Sequence, residues 1–498
     1  QKRGGERSLR ECAGGGKRAA SVYSKLKNFA FYLSQRREIF IYGERYETDD
    51  YEIVHPPPRY ILNCNNLLRF AAVLSALPFF WSSAFAAQDL YFNTADSPDF
   101  NRYLNDSSNW FTDEGRTQQF EGTLSSDYNG IVTGMTNVSV AGGSTLNLNS
   151  LTIDRENISA RESFMLSVGG RITLAENLIF NMNLTGGTGN VRQDTVLYSD
   201  IDLGGNMIVN YSRESGVSSY CTFAIVSESS GRQLHIGGDF SVNLGTADTT
   251  ALRFATNANI MVDGIMHMDN FVWQNSNGQH YHTLGGMSGS GMIVVYDAGY
   301  TSINLTNSTV QETSLTFGTT TENSKLDISM NGSASGRQTI RFRSGTWEGT
   351  DGNINDVTVG SGRLDIGMRT GMKGNRLSLS GTEAVFSATA SYSGEIGTVT
   401  FNEGEWYAGK IAIDIEGELA YDKIAFNGRF DKIGSDRDMG FEFVFDAYAM
   451  RELISENGGE LILEDVITYE TGSSMAGTVF EGNTSGIQWE AVFGDTSL

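Results

Sequence analysis

The chain has 498 residues, with 58 glycines against 5 prolines, 39% hydrophobic and 19% charged residues, and a formal net charge of −23 at pH 7. Abundant Gly, Ser, Thr and Asn with few helix formers suit many short strands joined by tight turns, since Gly and Asn accept positive φ while Thr and Val suit a pleated surface. So acidic a surface repels nucleic-acid phosphates and anionic lipid, which excludes a nucleic-acid partner; length does not set the domain count, because each added repeat of a repeat fold extends one core.

Charge divides the chain. Residues 1–60 hold 12 Lys+Arg and 8 Asp+Glu, Arg69 is the one charge of residues 61–86, and residues 87–498 carry 23 basic against 51 acidic groups, a net of −28. The chain opens with Gln1 and has no methionine before Met135, so residues 1–60 read as an upstream extension without a fold of its own. Residues 61–86 read as a secretory signal peptide: Arg69, an apolar stretch from Phe70 to Trp81, then Ala84-Phe85-Ala86, with cleavage expected after Ala86. That core is short for a membrane anchor, and no second hydrophobic segment of spanning length follows. Cys12 and Cys64 precede the cleavage point, which leaves Cys221 alone and rules out a disulfide framework in the mature chain.

Residues 87–119 read as an N-terminal cap and residues 120–415 as the body. Only Pro98 follows residue 87, so the backbone can donate to uninterrupted ladders. Period-two alternation recurs at Leu146 and Leu148, at Phe240, Val242 and Leu244, at Leu326, Ile328 and Met330, at Leu364, Ile366 and Met368, and at Ile411, Ile413 and Ile415, which places one face inward and one in water. Gly-Gly turns at Gly142, Gly169, Gly204 and Gly237 share a context and recur at a rough period of 27, 35 and 33 residues. A β-sandwich favours two-residue hairpins between long strands. Strands of three to five residues with irregular corners favour instead an all-β parallel β-helix (β-solenoid), of about 12–15 coils and about 60–70 Å. Residues 416–498 read as a distinct C-terminal α+β capping segment, with a strand at Phe441–Phe445 and a helix after the N-cap Asp446 that ends before Gly458.

Several short motifs coincide: Asn105 through Asn109-Trp110-Phe111, Leu284-Gly285-Gly286-Met287-Ser288-Gly289-Ser290-Gly291, Tyr421-Asp422-Lys423, and Trp489 through Phe493-Gly494-Asp495. Together they resemble the bacterial secreted surface proteins with autotransporter-associated β-strand repeats, including those with a Pro-Glu-Pro (PEP-CTERM-type) sorting tail. The resemblance covers most of residues 87–498 and implies a surface-exposed β-solenoid. The chain carries neither that tail nor a translocating barrel before Leu498, so by this resemblance its closing segment is truncated.

Parallel β-helices also include polysaccharide lyases and hydrolases, whose chemistry needs paired carboxylates, or clustered acids for Ca²⁺ with an Arg or Lys base. The acids here are dispersed, and no lysine of the expected mature chain precedes Lys325. The densest polar stretch is Asp263, His267, Asp269, His280 and His282; His280 and His282 share one side of a strand, as two metal ligands would, with Asp269 a third candidate. A wet polar face explains the same pattern, and no metal is assigned. Gly186–Asn190 opens like a Ca²⁺-binding nonapeptide, but Val191 stands where an Asp ligand belongs. Trp273, Trp347 and Trp406 fit a buried aromatic stack or a sugar-stacking face. The expectation is a non-catalytic, secreted or outer-surface protein of structural or adhesive role, contacting extracellular polysaccharide or cell-surface components, with no cofactor and no catalytic residue. The alternative is a secreted β-helix polysaccharide lyase or glycoside hydrolase.

Overall fold

The computed structural model describes residues 87–498 apart from the segments 94–102, 136, 159–161, 186–190, 199, 214–218, 227–232, 244–248, 255–257, 270, 276–277, 345–349, 391–397 and 418–419. The chain divides into two units, Gln1–Ala84 and Phe85–Leu498. The expected extension and signal peptide, the Gly186–Asn190 motif and Trp347 lie outside the described residues.

Phe85–Leu498 is all-β with a single α-helix among the described residues, and nearly all its strands pair in parallel with a strand one repeat later. One ladder starts at Thr145–Leu148, steps through Arg171–Leu174, Ile201–Leu203, Leu234–Ile236 and Ile260–His267, and continues to Lys423–Phe426 and Ile467–Thr468. A second starts at Asn137–Val140, passes through Glu162–Val168, Val191–Tyr198 and Ser219–Val226, and ends at Met439–Val444. The step varies: Ile354 pairs with Gly374, and Met207 with Phe240. Most insertions are absorbed between rungs, because a one-residue slip would turn every inward side chain to water; within rungs the register shifts between Arg155 and Ile158, between Val262 and Ile265 and between Met330 and Asn331.

The buried side chains follow the period-two pattern. Leu178, Phe180, Met182 and Leu184 are buried while the residues between them are partly exposed. Phe180 packs edge-on against Phe164 and Phe223, with centroids 6.1 and 5.3 Å away. Each such aliphatic or aromatic side chain contributes about 1.5–3 kcal/mol by leaving water, and stacked repeats make these contributions continuous.

Two expectations are corrected. Strands are not confined to three to five residues: Gln279–Val295 has 17 and Ile354–Gly367 has 14. Each turns a corner within a single strand, at Gly289 and Gly362, both with φ +77°. Residues 283–288 pair with 261–267 while 289–295 pair with 313–319, and 362–366 pair with 384–388. The Gly-Ser-Gly triplets 289–291 and 360–362 are therefore hinges within long strands. The Gly-Gly turns likewise do not form one series. Gly169 donates to Val140 O (3.1 Å), whereas Gly204 donates to Leu174 O (2.9 Å) and Gly237 to Leu203 O (2.7 Å). Gly142 and Gly169 share one corner, and Gly204 and Gly237 another. The interval of 35 is a step between corners rather than a repeat.

Parallel pairing also runs past the boundaries at 120 and 415. Gln88–Phe92 pairs in parallel with Tyr128–Thr133, and Lys423–Phe426 extends the ladder beyond Thr398–Trp406. At the N-terminal end Trp110 is fully buried, its Nε1 donates to Leu104 O (2.8 Å), and it meets Phe92 at 5.0 Å. At the other end the antiparallel hairpin Val479–Thr484/Ile487–Val492 lays Phe480 against Trp406 (5.6 Å) and Phe441 (5.5 Å). The helix Ala447–Glu456 begins where Asp446 Oδ1 accepts from Ala449 N (2.7 Å), and Gly458 follows with φ +82°. No helix among the described residues is long and apolar enough to cross a membrane.

Candidate functional site

Parallel register stacks like residues on one another, and the outward positions between Arg171 and Asp269 show what this produces. Asn210 Nδ2 donates to Asn181 Oδ1 and Asn243 Nδ2 to Asn210 Oδ1, both at 2.8 Å. At the adjoining corner Asn177, Asn206 and Asp239 each accept from the backbone N–H one rung on, at 2.8, 2.7 and 2.8 Å. Each amide or carboxylate thereby satisfies a corner N–H that has no strand partner.

An ion ladder runs alongside. Arg171 Nη2 is 2.6 Å from Asp202 Oδ2, His235 Nδ1 is 2.8 Å from Asp202 Oδ1, and His235 Nε2 is 3.0 Å from Asp263 Oδ2. Partial burial opposes the His235 imidazolium, but a carboxylate at each ring nitrogen outweighs it and raises the His235 pKa above its usual value. Asp202 is held below the usual carboxylate range by His235, against the opposing effect of burial.

Next to these ladders lies a recess of about 330 Å³ lined by Asn206, Ile208, Asp239, Ser241, Val242, Asn243, His267 and Asp269. His267 Nδ1 lies 2.8 Å from Ser288 Oγ, and its Nε2 is 3.7 Å from Asp239 Oδ2. Asp269 Oδ1 accepts from Ser290 N (3.2 Å). The lining combines amide, hydroxyl, carboxylate and imidazole groups with an aliphatic floor, a mixture able to hydrogen-bond vicinal hydroxyls while packing on the C–H face of a sugar ring.

The structure separates the candidate metal ligands. His280 and His282 do share a side, with rings stacked at 6.0 Å, but that side is the interior: they are 0% and 1% exposed. His280 Nδ1 donates to Ala258 O (2.9 Å), His282 Nδ1 accepts from Ile260 N (3.3 Å), and Trp273 meets the His282 ring edge-on at 4.8 Å. Burial, then the neighbouring His280, pushes the His282 pKa well below its ordinary value. Asp269 stays on the exposed side, and no group of three or more His, Cys, Asp or Glu among the described residues could hold a metal ion. The parity of Leu284, which is buried, carried the signal that 280 and 282 turn inward. The sugar-stacking reading of the tryptophans is corrected too: Trp273 and Trp406 are fully buried, and Trp273 Nε1 donates to Asn275 Oδ1 (2.9 Å).

A second constellation escaped the sequence reading. Asp365 is fully buried, bonded to Arg337 Nε, to Arg363 Nε (2.7 Å) and to Thr339 Oγ1 (3.1 Å). Arg363 Nη1 reaches Glu442 (2.8 Å), which stands in the column of Asp365 with the small residues Ser387 and Ala412 on the rungs between them. Nearby, burial first and Asp414 second raise the Asp422 pKa to about 7. Registers between distant rungs assemble this cluster, and no local spacing announces it.

No known protein family matches the chain, and neither a curated protein nor a solved structure shows significant similarity to it.

Proposed function

We propose that the parallel winding is a β-solenoid and that the protein is a non-catalytic, secreted or outer-surface protein of structural or adhesive role that contacts polysaccharide. The observation that carries this reading is the in-register stack of Asn181, Asn210 and Asn243 beside the polar recess containing Asp239, His267 and Asp269. Parallel rungs about 4.8 Å apart present the same donors and acceptors at regular intervals, so a polymer of hydroxylated rings meets many weak, repeated contacts. Most polar groups of the stack already hydrogen-bond one another or the backbone, which suits a rigid display surface better than an acid–base pair free to move protons. The motifs around Asn109-Trp110, Gly289-Ser290-Gly291 and Tyr421-Asp422 agree with the resemblance to autotransporter-associated repeat proteins, with 61–86 as the export signal, 87–119 and 416–498 as caps and 120–415 as the principal solenoid.

The test is to pass the full chain over immobilised plant, algal and bacterial polysaccharides and to assay the same mixtures for reducing and unsaturated ends. Retention without release is expected, and Asn243→Ala with Ser241→Ala should weaken retention at least fivefold. Release of either kind of end would make the protein a lyase or hydrolase and overturn the non-catalytic reading; absence of retention on every polymer would overturn the saccharide reading.

A further inference from the structure

The helix Ala447–Glu456 and the ends of the strands Gly409–Gly417 and Met439–Val444 enclose a recess of about 570 Å³, distinct from the saccharide-facing one. Its floor is apolar, formed by Ile415, Phe445, Met450 and Leu453, and Val444 at its edge is 40% exposed. Around this floor stand five carboxylates, Asp414, Glu416, Asp446, Glu452 and Glu456, and no lysine or arginine lines it.

Two of the five are engaged: Asp446 caps the helix, and Asp414 Oδ1 lies 3.9 Å from Arg363 Nη2. Glu416, Glu452 and Glu456 enter no ion pair among the described residues. Their placement works against the local structure. Glu452 and Glu456 are four residues apart on one helix face, where like charges repel. Glu456 also sits in the last turn, which has no basic residue, against the negative end of the helix dipole. A cation lying in the groove would relieve both conflicts and, with an apolar side chain beside it, would cover Val444 and the floor. Anionic lipid and nucleic acid meet the wrong sign of charge here, and a small polyamine would leave the apolar floor in water.

We propose that this groove docks a cationic, amphipathic peptide segment of a partner protein, lysine or arginine against the three glutamates and an aliphatic side chain on the floor. The proposal is independent of the saccharide reading.

The experiment titrates the full chain into three fluorescein-labelled 14-residue peptides: one of Lys and Leu at amphipathic helical spacing, one with Ser for every Leu, and one with Glu for every Lys. The Lys/Leu peptide should bind, the Lys/Ser peptide at least tenfold more weakly, and the Glu/Leu peptide not at all. Glu416→Gln/Glu452→Gln/Glu456→Gln should weaken Lys/Leu binding at least tenfold without lowering the thermal midpoint, and Val444→Ser should weaken it about threefold. A control variant, Glu121→Gln/Glu176→Gln/Glu322→Gln, removes equal charge elsewhere and should leave binding unchanged. Equal losses in the two triple variants, equal affinity for the Lys/Leu and Lys/Ser peptides, or no binding of the Lys/Leu peptide would each overturn the proposal.

Discussion

Replacing Asp422 by asparagine should make the end of the ladder more stable at alkaline pH and reduce its dependence on pH between about 4 and 7. Asp422 is 5% exposed, its Oδ2 has no hydrogen-bond partner, and it follows the strand Ala420–Tyr421, which folds back on Gly409–Gly417. Burial raises its pKa from 3.8 to about 7, with further pushes from Asp414, Asp365 and Glu416. The folded chain therefore holds one more proton than the unfolded chain between those two values, and its stability falls as pH rises through the window. The penalty is complete above pH 7. A gap of about 3 units corresponds to about 4 kcal/mol, a local quantity in a chain whose rungs need not open together. Hydrogen exchange of the amides in 409–426 at pH 5 and pH 8 measures it directly. Wild-type protection should be weaker at pH 8 than at pH 5 after correction for intrinsic exchange, by about 10²-fold, and Asp422→Asn should narrow that difference, leaving the part due to Asp414, whose pKa burial also raises. If the wild-type protection is the same at both pH values, or the variant loses protection equally at both, then the buried acid does not carry the proton and the reasoning fails.

His235→Gln should cost no more than about 1 kcal/mol, the scale of a solvent-screened ion pair. Because the folded-state pKa is raised, that stabilisation is fully present below about pH 6.5 and lost as pH climbs through the higher folded value; the gap between denaturation midpoints at about pH 5.5 and 8.5 should be smaller in the variant than in the wild type, the remainder belonging to Asp422. Gly362→Ala places a methyl group on a residue with φ +77°, 2.9 Å from Met330 Cε and 3.0 Å from Ser333 O; a loss of at least about 1–2 kcal/mol is expected, and an unchanged midpoint would show that the corner can relax. Trp406→Ala empties the stack with Phe430 (6.0 Å) and Phe480 (5.6 Å) and should cost about 3–5 kcal/mol, read as earlier melting with loss of near-UV circular dichroism, while Tyr448→Ala, at an exposed position, should leave both unchanged.

The candidate sites show how far local pattern reaches. That His280 and His282 share a side is a property of any strand, and the buried Leu284 of the same parity marks that side as interior. Nothing local places Asp202 and Asp263 at the two nitrogens of His235, because the contacts span 33 and 28 residues. The groove on the helix Ala447–Glu456 was half visible: the helix and its Asp446 cap were legible, but Glu416 joins Glu452 and Glu456 only through packing.

Alternation of apolar and polar residues, glycine at the corners and an N-cap before a helical stretch depend on φ, ψ and the side chain itself, so the chain alone determined an all-β body with a helix near its end. Which rung lies on which was decided only by tertiary pairing. The step between rungs varies from that joining Ile354 to Gly374 to that joining Ile424 to Ile467, and a variable step leaves no fixed period to read. The charged columns, the two separate glycine corners and the acid-rimmed groove all follow from that stacking, because parallel strands bring together residues that share a register rather than a neighbourhood in the chain.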